Sequence, residues 1–312
     1  MKTKKIIITG GGTAGSVSPL LSVVDKIRDK DPNIDFLFIG TRKGDPEKRL
    51  AKTKNIPYKS IFSGKLRRYF SFKNIIDPFK IIIGFFQSLV LVKKHKPDAV
   101  IGAGSFVGVP ICIAAWFFKV PVFLHQLDTV PGLANKIISA FATKITLSFD
   151  SLKDNFPKKS IVTGTPVRYE ILKGNKNIAL EDFNLRKDLE TILIMGGGTG
   201  SKRLNEIVLK SLDGLTKNAQ VIHITGKGKL LKARDYRYRS YEFLIKSLKH
   251  AYDLADLIIS RAGVGSLSEF CLLSKPVIFI PLPNSSQVKN AYTLCKQDAA
   301  ICLEEKDLTL FC

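Results

Sequence analysis

The strongest constraint on this chain is a recurring cassette: a short apolar run, a glycine-bearing turn, then a longer stretch with helical spacing of apolar side chains. Strands buried on both faces read as unbroken hydrophobic runs, and parallel pairing needs a long crossover, usually helical, between successive strands. Residues 6–8, 36–39, 99–101, 120–124 and 145–147 fit a first parallel sheet, and 192–195, 221–224, 257–260 and 277–281 a second. Between the two series lies Gly164-Thr165-Pro166-Val167-Arg168, whose proline restricts the residue before it and whose glycine favours a turn. The expected class is therefore α/β, with two Rossmann-like doubly wound domains at residues 1–163 and 164–312.

A chain of 312 residues with 45% hydrophobic side chains can fill two cores, and neither a disordered nor a collagen-like chain fits that composition. The 49 Lys and Arg against 27 Asp and Glu give a net charge of +22, which points to an anionic partner: nucleic acid, membrane surface or phosphorylated substrate. Much of the excess is local. Residues 59–96 hold nine Lys or Arg and a single acid, Asp77, interleaved with Ile75, Ile76, Phe79, Ile81–Ile83, Phe85, Phe86 and 89–92. That stretch is too interrupted to span a bilayer. It reads either as a helix packed on the sheet or as an amphipathic helix lying at an anionic headgroup boundary. No nucleic-acid recognition module is visible, so no nucleic acid partner is expected. The five cysteines lack CxxC spacing, so neither a disulfide framework nor a zinc site is expected, and a reducing cytosol fits. The opening MKTKKIIITGGG is too short in apolar residues for a signal peptide, and the chain is expected to stay inside the cell.

Four glycine turns carry the chemistry. Thr9 to Ser16 satisfies GxGxxG through Gly10, Gly12 and Gly15 ahead of a helix expected over about residues 19–27, so bare amides at a helix N-terminus can hold a phosphate. A nicotinamide enzyme wants an acid after the second strand; here Gly40-Thr41-Arg42 follows, and Arg42 leaves a 2′-phosphate dinucleotide open. Gly102-Ala103-Gly104-Ser105 and Gly196 to Gly200 form the second and third turns. In the fourth, Arg261 to Glu269, Gly263 and Gly265 leave helix amides free and Glu269 can accept two ribose hydroxyls. The plain alternatives are that each glycine only permits a tight turn and that Glu269 is solvated.

Taken together, GGGTAGSVSP, HQLDTVPGLANK, GTPVR, GGGTGSKRLN, HITGKGK, ISRAGVGSLSE and PLPN followed by QVKNA resemble the MurG family of peptidoglycan glycosyltransferases along nearly the whole chain. The resemblance implies two facing domains of GT-B type. It implies transfer of N-acetylglucosamine from UDP-GlcNAc to an undecaprenyl-diphosphate-linked N-acetylmuramoyl peptide, by inversion, with no metal or other cofactor, at the cytoplasmic face of the plasma membrane as a peripheral protein. The second half then binds the donor through Arg168, Gly198, Thr199, Gly200, Leu244, Arg261, Gly263, Glu269, Gln287 and Asn290, with Glu269 on the ribose. The first half binds the acceptor diphosphate through Thr13, Ala14, Gly15, Gly104 and Ser105, together with Asn135, and residues 59–96 occupy the place of a membrane-contacting patch. Two departures bear on proton transfer. Ser16 stands where the family has His, and His125-Gln126-Leu127-Asp128 where it has His-Glu-Gln-Asn. Ser16 is a poor base, so His125 and Asp128 are the candidates, unless His125 is a buried, satisfied histidine. His95, His223 and His250 read as structural or solvated. The DxD of Asp29-Lys30-Asp31 falls away from the strand ends that bind ligands. The chain ends at Phe311-Cys312 where the family continues into helices, so a second domain without them is expected. A related lipid acceptor and a non-catalytic sugar-nucleotide-binding paralogue remain the alternatives.

Overall fold

The computed structural model describes residues 3–64, 73–233 and 235–308. Lys65, Arg67 and Arg68 of the basic segment, and Phe311-Cys312, lie outside those residues. The chain divides into two compact units, Met1–Val167 and Arg168–Cys312, a few residues past the Gly164 turn.

The first unit contains strands β1 (Lys5–Thr9), β2 (Asp35–Thr41), β3 (Tyr58–Ile61), β4 (Ala99–Gly102), β5 (Val122–Gln126), β6 (Lys144–Leu147) and β7 (Ser160–Val162). Its helices are α1 (Ala14–Lys30), α2 (Glu47–Thr53), α3 (Lys73–His95), α4 (Gly108–Phe117) and α5 (Leu133–Phe141). The sheet is wholly parallel in the order β3-β2-β1-β4-β5-β6-β7, so the winding reverses between β1 and β4, where Thr9 lies opposite Gly102. Ile7, Val100, Val122, Leu124 and Ile145 fill the strand side of the core against Val107, Ile111, Ala115 and Ile138 of the helical layer.

The second unit contains α6 (Lys176–Phe183), β8 (Glu190–Met195), α7 (Lys202–Lys210), α8 (Leu212–Thr216), β9 (Ala219–Ile224), β10 (Tyr238–Tyr241) and α9 (Leu248–Leu254). It continues with β11 (Leu257–Ser260), α10 (Val264–Leu272), β12 (Val277–Phe279), α11 (Ser286–Cys295) and β13 (Ile301–Cys302). Its parallel order is β10-β9-β8-β11-β12-β13, with the reversal between β8 and β11.

Every strand expected from an apolar run is present, and the four that were not expected, β3, β7, β10 and β13, are the four sheet edges. An edge strand has one neighbour and one wet margin, so sequences such as YKSI and YRSY need no continuous apolar run. Three further corrections follow. The first helix starts at Ala14 rather than near Pro19, which places Ala14, Gly15 and Ser16 in its first turn. The fifth strand runs on through His125 and Gln126, because both pair with β6 opposite Thr146 and Leu147. Cys295 and Cys302 form a disulfide, against the expectation of none, since α11 leads straight back into the neighbouring β13 and brings residues seven apart together.

Candidate functional site

In doubly wound sheets ligands bind beyond the carboxyl ends of the strands where the winding reverses. In the first unit that point carries the turns after β1 and β4. Thr13 is the N-cap of α1 in extended conformation, but no side chain caps the helix, and its first turn holds no acid. The leading amides of a 17-residue helix are thereby left for an anion. Ser16 Oγ donates to the Thr13 carbonyl at 3.2 Å, a local bond within the first turn of the helix. After β4, Gly104 and Ser105 both adopt φ of +86°, and for Ser105 this is a strained geometry of the kind held at functional turns. Asn135 of α5 packs beneath: a Cβ on Gly104 would lie 2.5 Å from its Oδ1, so only glycine fits there. Asn135 Nδ2 donates to Gln126 Oε1 at 2.5 Å, and Gln126 Nε2 donates to the Asp128 carbonyl at 2.6 Å, stapling the turn after β5 to α5. Asn135 Oδ1 and Thr9 Oγ1 are buried with no hydrogen-bond partner among the described residues. Each such orphan costs about 1–3 kcal/mol.

His125 is buried on β5. Its Nδ1 lies 2.8 Å from Thr146 Oγ1 and its Nε2 3.3 Å from Ser148 Oγ, which accepts from Thr165 Oγ1 at 2.8 Å. Burial depresses its pKa to about 4, against the opposing hydrogen bond from Thr146. His125 is thus engaged at both nitrogens with burial favouring its neutral form, and Asp128 lies half-buried in the turn beyond it.

In the second unit the reversal point carries the turns after β8 and β11. Gly197 and Gly200 have positive φ, and the Gly200 turn is pressed against Thr225 and Gly226, so closely that a Cβ on Gly200 would fall 2.1 Å from the Thr225 carbonyl oxygen. Gly198 and Thr199 stand exposed at its tip, and Ser201 caps α7 by accepting from the Leu204 amide at 3.3 Å. Lys229 was not anticipated as a site residue. Its Nζ donates to the Thr199 and Gly200 carbonyls at 3.0 and 3.2 Å, setting a positive charge beside this turn. The HITGKGK motif was the signal for it.

Gly263 caps α10 without a side-chain bond and faces open space, leaving the helix amides free. Arg261 does not face that space. It is 3% exposed; Nη1 donates to the Ile280 and Pro281 carbonyls, Nη2 donates to Ser201 Oγ at 2.8 Å and pairs with Glu305 at 2.5 Å. It joins the turns after β8, β11 and β12 rather than reaching a ligand. Asn290 is likewise buried, donating to the Ala262 carbonyl at 3.2 Å, and Gln287 accepts from the Leu282 amide at 3.0 Å. Leu244 lies in the bend after β10.

Glu269 sits buried on α10. Arg168 Nε and Nη2 donate to its Oε1 at 2.9 and 2.6 Å, and the Tyr252 hydroxyl donates to its Oε2 at 2.8 Å. Burial, then the Glu269 charge, holds that tyrosine well above its usual range. With Oε1 occupied twice, one lone pair on Oε2 remains, so the expected grip on two ribose hydroxyls is reduced to one while Arg168 stays in place. His223, 0% exposed, joins Tyr238 and Asn205 in a closed core network, and His250 Nδ1 accepts from the Asn175 amide, so both are structural.

The glycosyltransferase family 28 N-terminal domain matches residues 6–147 and the family's C-terminal domain matches residues 191–311, which sets the class. The chain is 41% identical, over 98% of its length and 88% of the relative's, to "UDP-N-acetylglucosamine--N-acetylmuramyl-(pentapeptide) pyrophosphoryl-undecaprenol N-acetylglucosamine transferase 3" of Bacillus thuringiensis. The "UDP-N-acetylglucosamine--N-acetylmuramyl-(pentapeptide) pyrophosphoryl-undecaprenol N-acetylglucosamine transferase" of Clostridium perfringens is 43% identical over 99% of this chain and 87% of its own. The crystal structure of Acinetobacter baumannii MurG superposes with a TM-score of 0.70 at 26% identity, covering 97% of this chain and 87% of that one. The chain belongs to the MurG family of glycosyltransferases.

Proposed function

We propose that the protein transfers N-acetylglucosamine from UDP-GlcNAc to a polyprenyl-diphosphate-linked N-acetylmuramoyl peptide, the step from lipid I to lipid II in peptidoglycan synthesis. The observation that carries this reading is that both units end their reversal-point turns in a helix whose leading amides no side chain caps, α1 in one and α10 in the other. Paired anion-binding helix ends suit a reaction in which donor and acceptor are both diphosphates. The relatives' names support the choice of sugar and acceptor.

In the proposed reaction an acceptor sugar hydroxyl attacks the anomeric carbon from the face opposite UDP, which leaves with inversion. Charge gathers on the departing diphosphate, where the α10 amides and the Lys229 ammonium stabilise it. Glu269 takes a ribose hydroxyl on Oε2, and Gly198–Gly200 lie along the diphosphate. Asp128 accepts the hydroxyl proton and His125 holds the strand end behind it. On the acceptor side, Thr13–Gly15 and Gly104–Ser105 meet the lipid diphosphate, and Asn135 Oδ1 gains a sugar hydroxyl as its missing donor.

The lipid tail calls for a membrane surface, and α3 supplies the contact in this reading. Phe79, Ile82, Ile83, Phe86 and Val90 are exposed on one helical stripe, with Lys93 and Lys94 in the last turn. Among the described residues no helix is long and apolar enough to cross a membrane. We propose peripheral attachment to anionic lipid at the cytoplasmic face, with no nucleic acid partner.

The test is product analysis with UDP-GlcNAc and the lipid-linked acceptor. Wild-type protein should give the disaccharide lipid, and Asp128→Asn should lose at least about a hundredfold in kcat, the usual worth of a general base. Tight UDP binding with no product would favour the non-catalytic alternative.

A further inference from the structure

We infer that Glu47 is a positioning residue for the acceptor loop, an inference that rests on the proposed role of the turn after β1. Glu47 opens α2 and is fully buried. Its Oε1 accepts from the Thr41 amide at 3.1 Å and from the Thr41 hydroxyl, and its Oε2 accepts from the Gly12 amide at 3.4 Å. Thr41 is held in turn: its Oγ1 accepts from the Gly44 amide at 3.2 Å, and its carbonyl accepts from the Tyr58 hydroxyl at 2.6 Å. One carboxylate therefore ties the turn after β1 to the end of β2.

The space around it confirms the fit. A Cβ on Gly11 would lie 2.8 Å from Glu47 Oε1, and one on Gly40 would lie 3.0 Å from Glu47 Cγ. The carboxylate occupies the volume a side chain at Gly11 would need, and at Gly40 that volume is taken first by the Tyr58 ring and hydroxyl and then by the Glu47 stem. The spacing Gly40-Thr41-Arg42-Lys43-Gly44-Asp45-Pro46-Glu47 carries this packing in the sequence.

The consequence concerns where the anion sits. With its amide aimed at Glu47, Gly12 is withdrawn from any ligand, and a buried negative charge lies behind it. The donors left facing outward are the leading amides of α1, beyond the Thr13 cap. The acceptor diphosphate is thereby directed over the helix end and away from the first half of the glycine turn, which the GxGxxG pattern alone does not distinguish.

Glu47→Gln separates the two duties. Its oxygen still accepts from the Thr41 amide, while its NH2 group opposes the Gly12 amide with a second donor. Steady-state kinetics on wild type, Glu47→Gln and Glu47→Ala should show the acceptor KM rising about tenfold in both variants, the equivalent of roughly 1.4 kcal/mol, with the donor KM within about twofold of wild type. Amide hydrogen exchange should show faster exchange at Gly12 in both variants, with exchange at Phe38 and Ile39 unchanged in Glu47→Gln. Unchanged Gly12 exchange in Glu47→Gln overturns the inference, as do donor and acceptor KM values that move together. If wild-type protein forms no product from these substrates, the proposed function fails instead, and Gly12 exchange alone decides whether Glu47 holds the turn.

Discussion

Replacing Tyr252 by Phe removes one oxygen atom and leaves the ring packed edge-on against Phe270. The hydroxyl lost is the donor to Glu269 Oε2 at 2.8 Å, in a place where Tyr252 is 0% and Glu269 6% exposed. No cavity of any size opens, so the cost is that of one hydrogen bond to a buried carboxylate. Bonds to charged groups contribute about 1.5–3 kcal/mol, and the two bonds from Arg168 to Oε1 survive, so the expected loss is about 2 kcal/mol. For a unit of this size that lowers the melting temperature by roughly 4–8 °C. Scanning calorimetry reads the loss, which arises in the second unit. Because Tyr252 also fixes the carboxylate that meets the ribose in the proposed reaction, UDP affinity measured by titration calorimetry should fall several-fold. A destabilisation below about 0.5 kcal/mol would show that the Tyr252–Glu269 bond contributes nothing, and with it the account of how Glu269 is held.

The remaining predictions concern pH, the membrane and backbone strain. Burial depresses His125 and His223 to about 4, so the unfolded chain binds more protons than the native one between that value and 6.5. The stability each contributes is fully present above pH 6.5 and is lost as pH falls toward 4, roughly 3 kcal/mol per histidine; urea midpoints across that range should fall for both units. Phe79→Ser with Phe86→Ser should abolish sedimentation with anionic vesicles while leaving the melting temperature within about 2 °C, because both side chains are more than half exposed; retained binding would remove α3 from the contact. Ser105→Gly relieves the strain of φ +86° and should raise stability by about 1 kcal/mol in thermal melts. If Ser105 also touches the acceptor, that gain comes with a higher acceptor KM.

Much of the candidate site was readable because it is built from glycine turns that follow apolar strands. Gly104 and Gly200 sit where a Cβ cannot, and their motifs announce this without any knowledge of the fold. Arg261 and Asn290 were also visible as motif residues, yet their side chains turn inward to backbone carbonyls, and a motif does not say which way a long side chain points. Glu269 was placed correctly on a helix near the turn, while its occupation by Arg168, 101 residues earlier, and by Tyr252 was not.

The sequence by itself determined the interior strands, the reversal-point turns and the family, since a strand buried on both faces is mostly apolar and a tight strand-to-helix turn favours glycine. Tertiary structure alone decided the edge strands β3, β7, β10 and β13, the Cys295–Cys302 pairing, and the duties of Glu47, Lys229 and Tyr252. These depend on contacts between residues brought together from different elements, and a polar side chain acquires its partner only when the packing that removes water also fixes its neighbours.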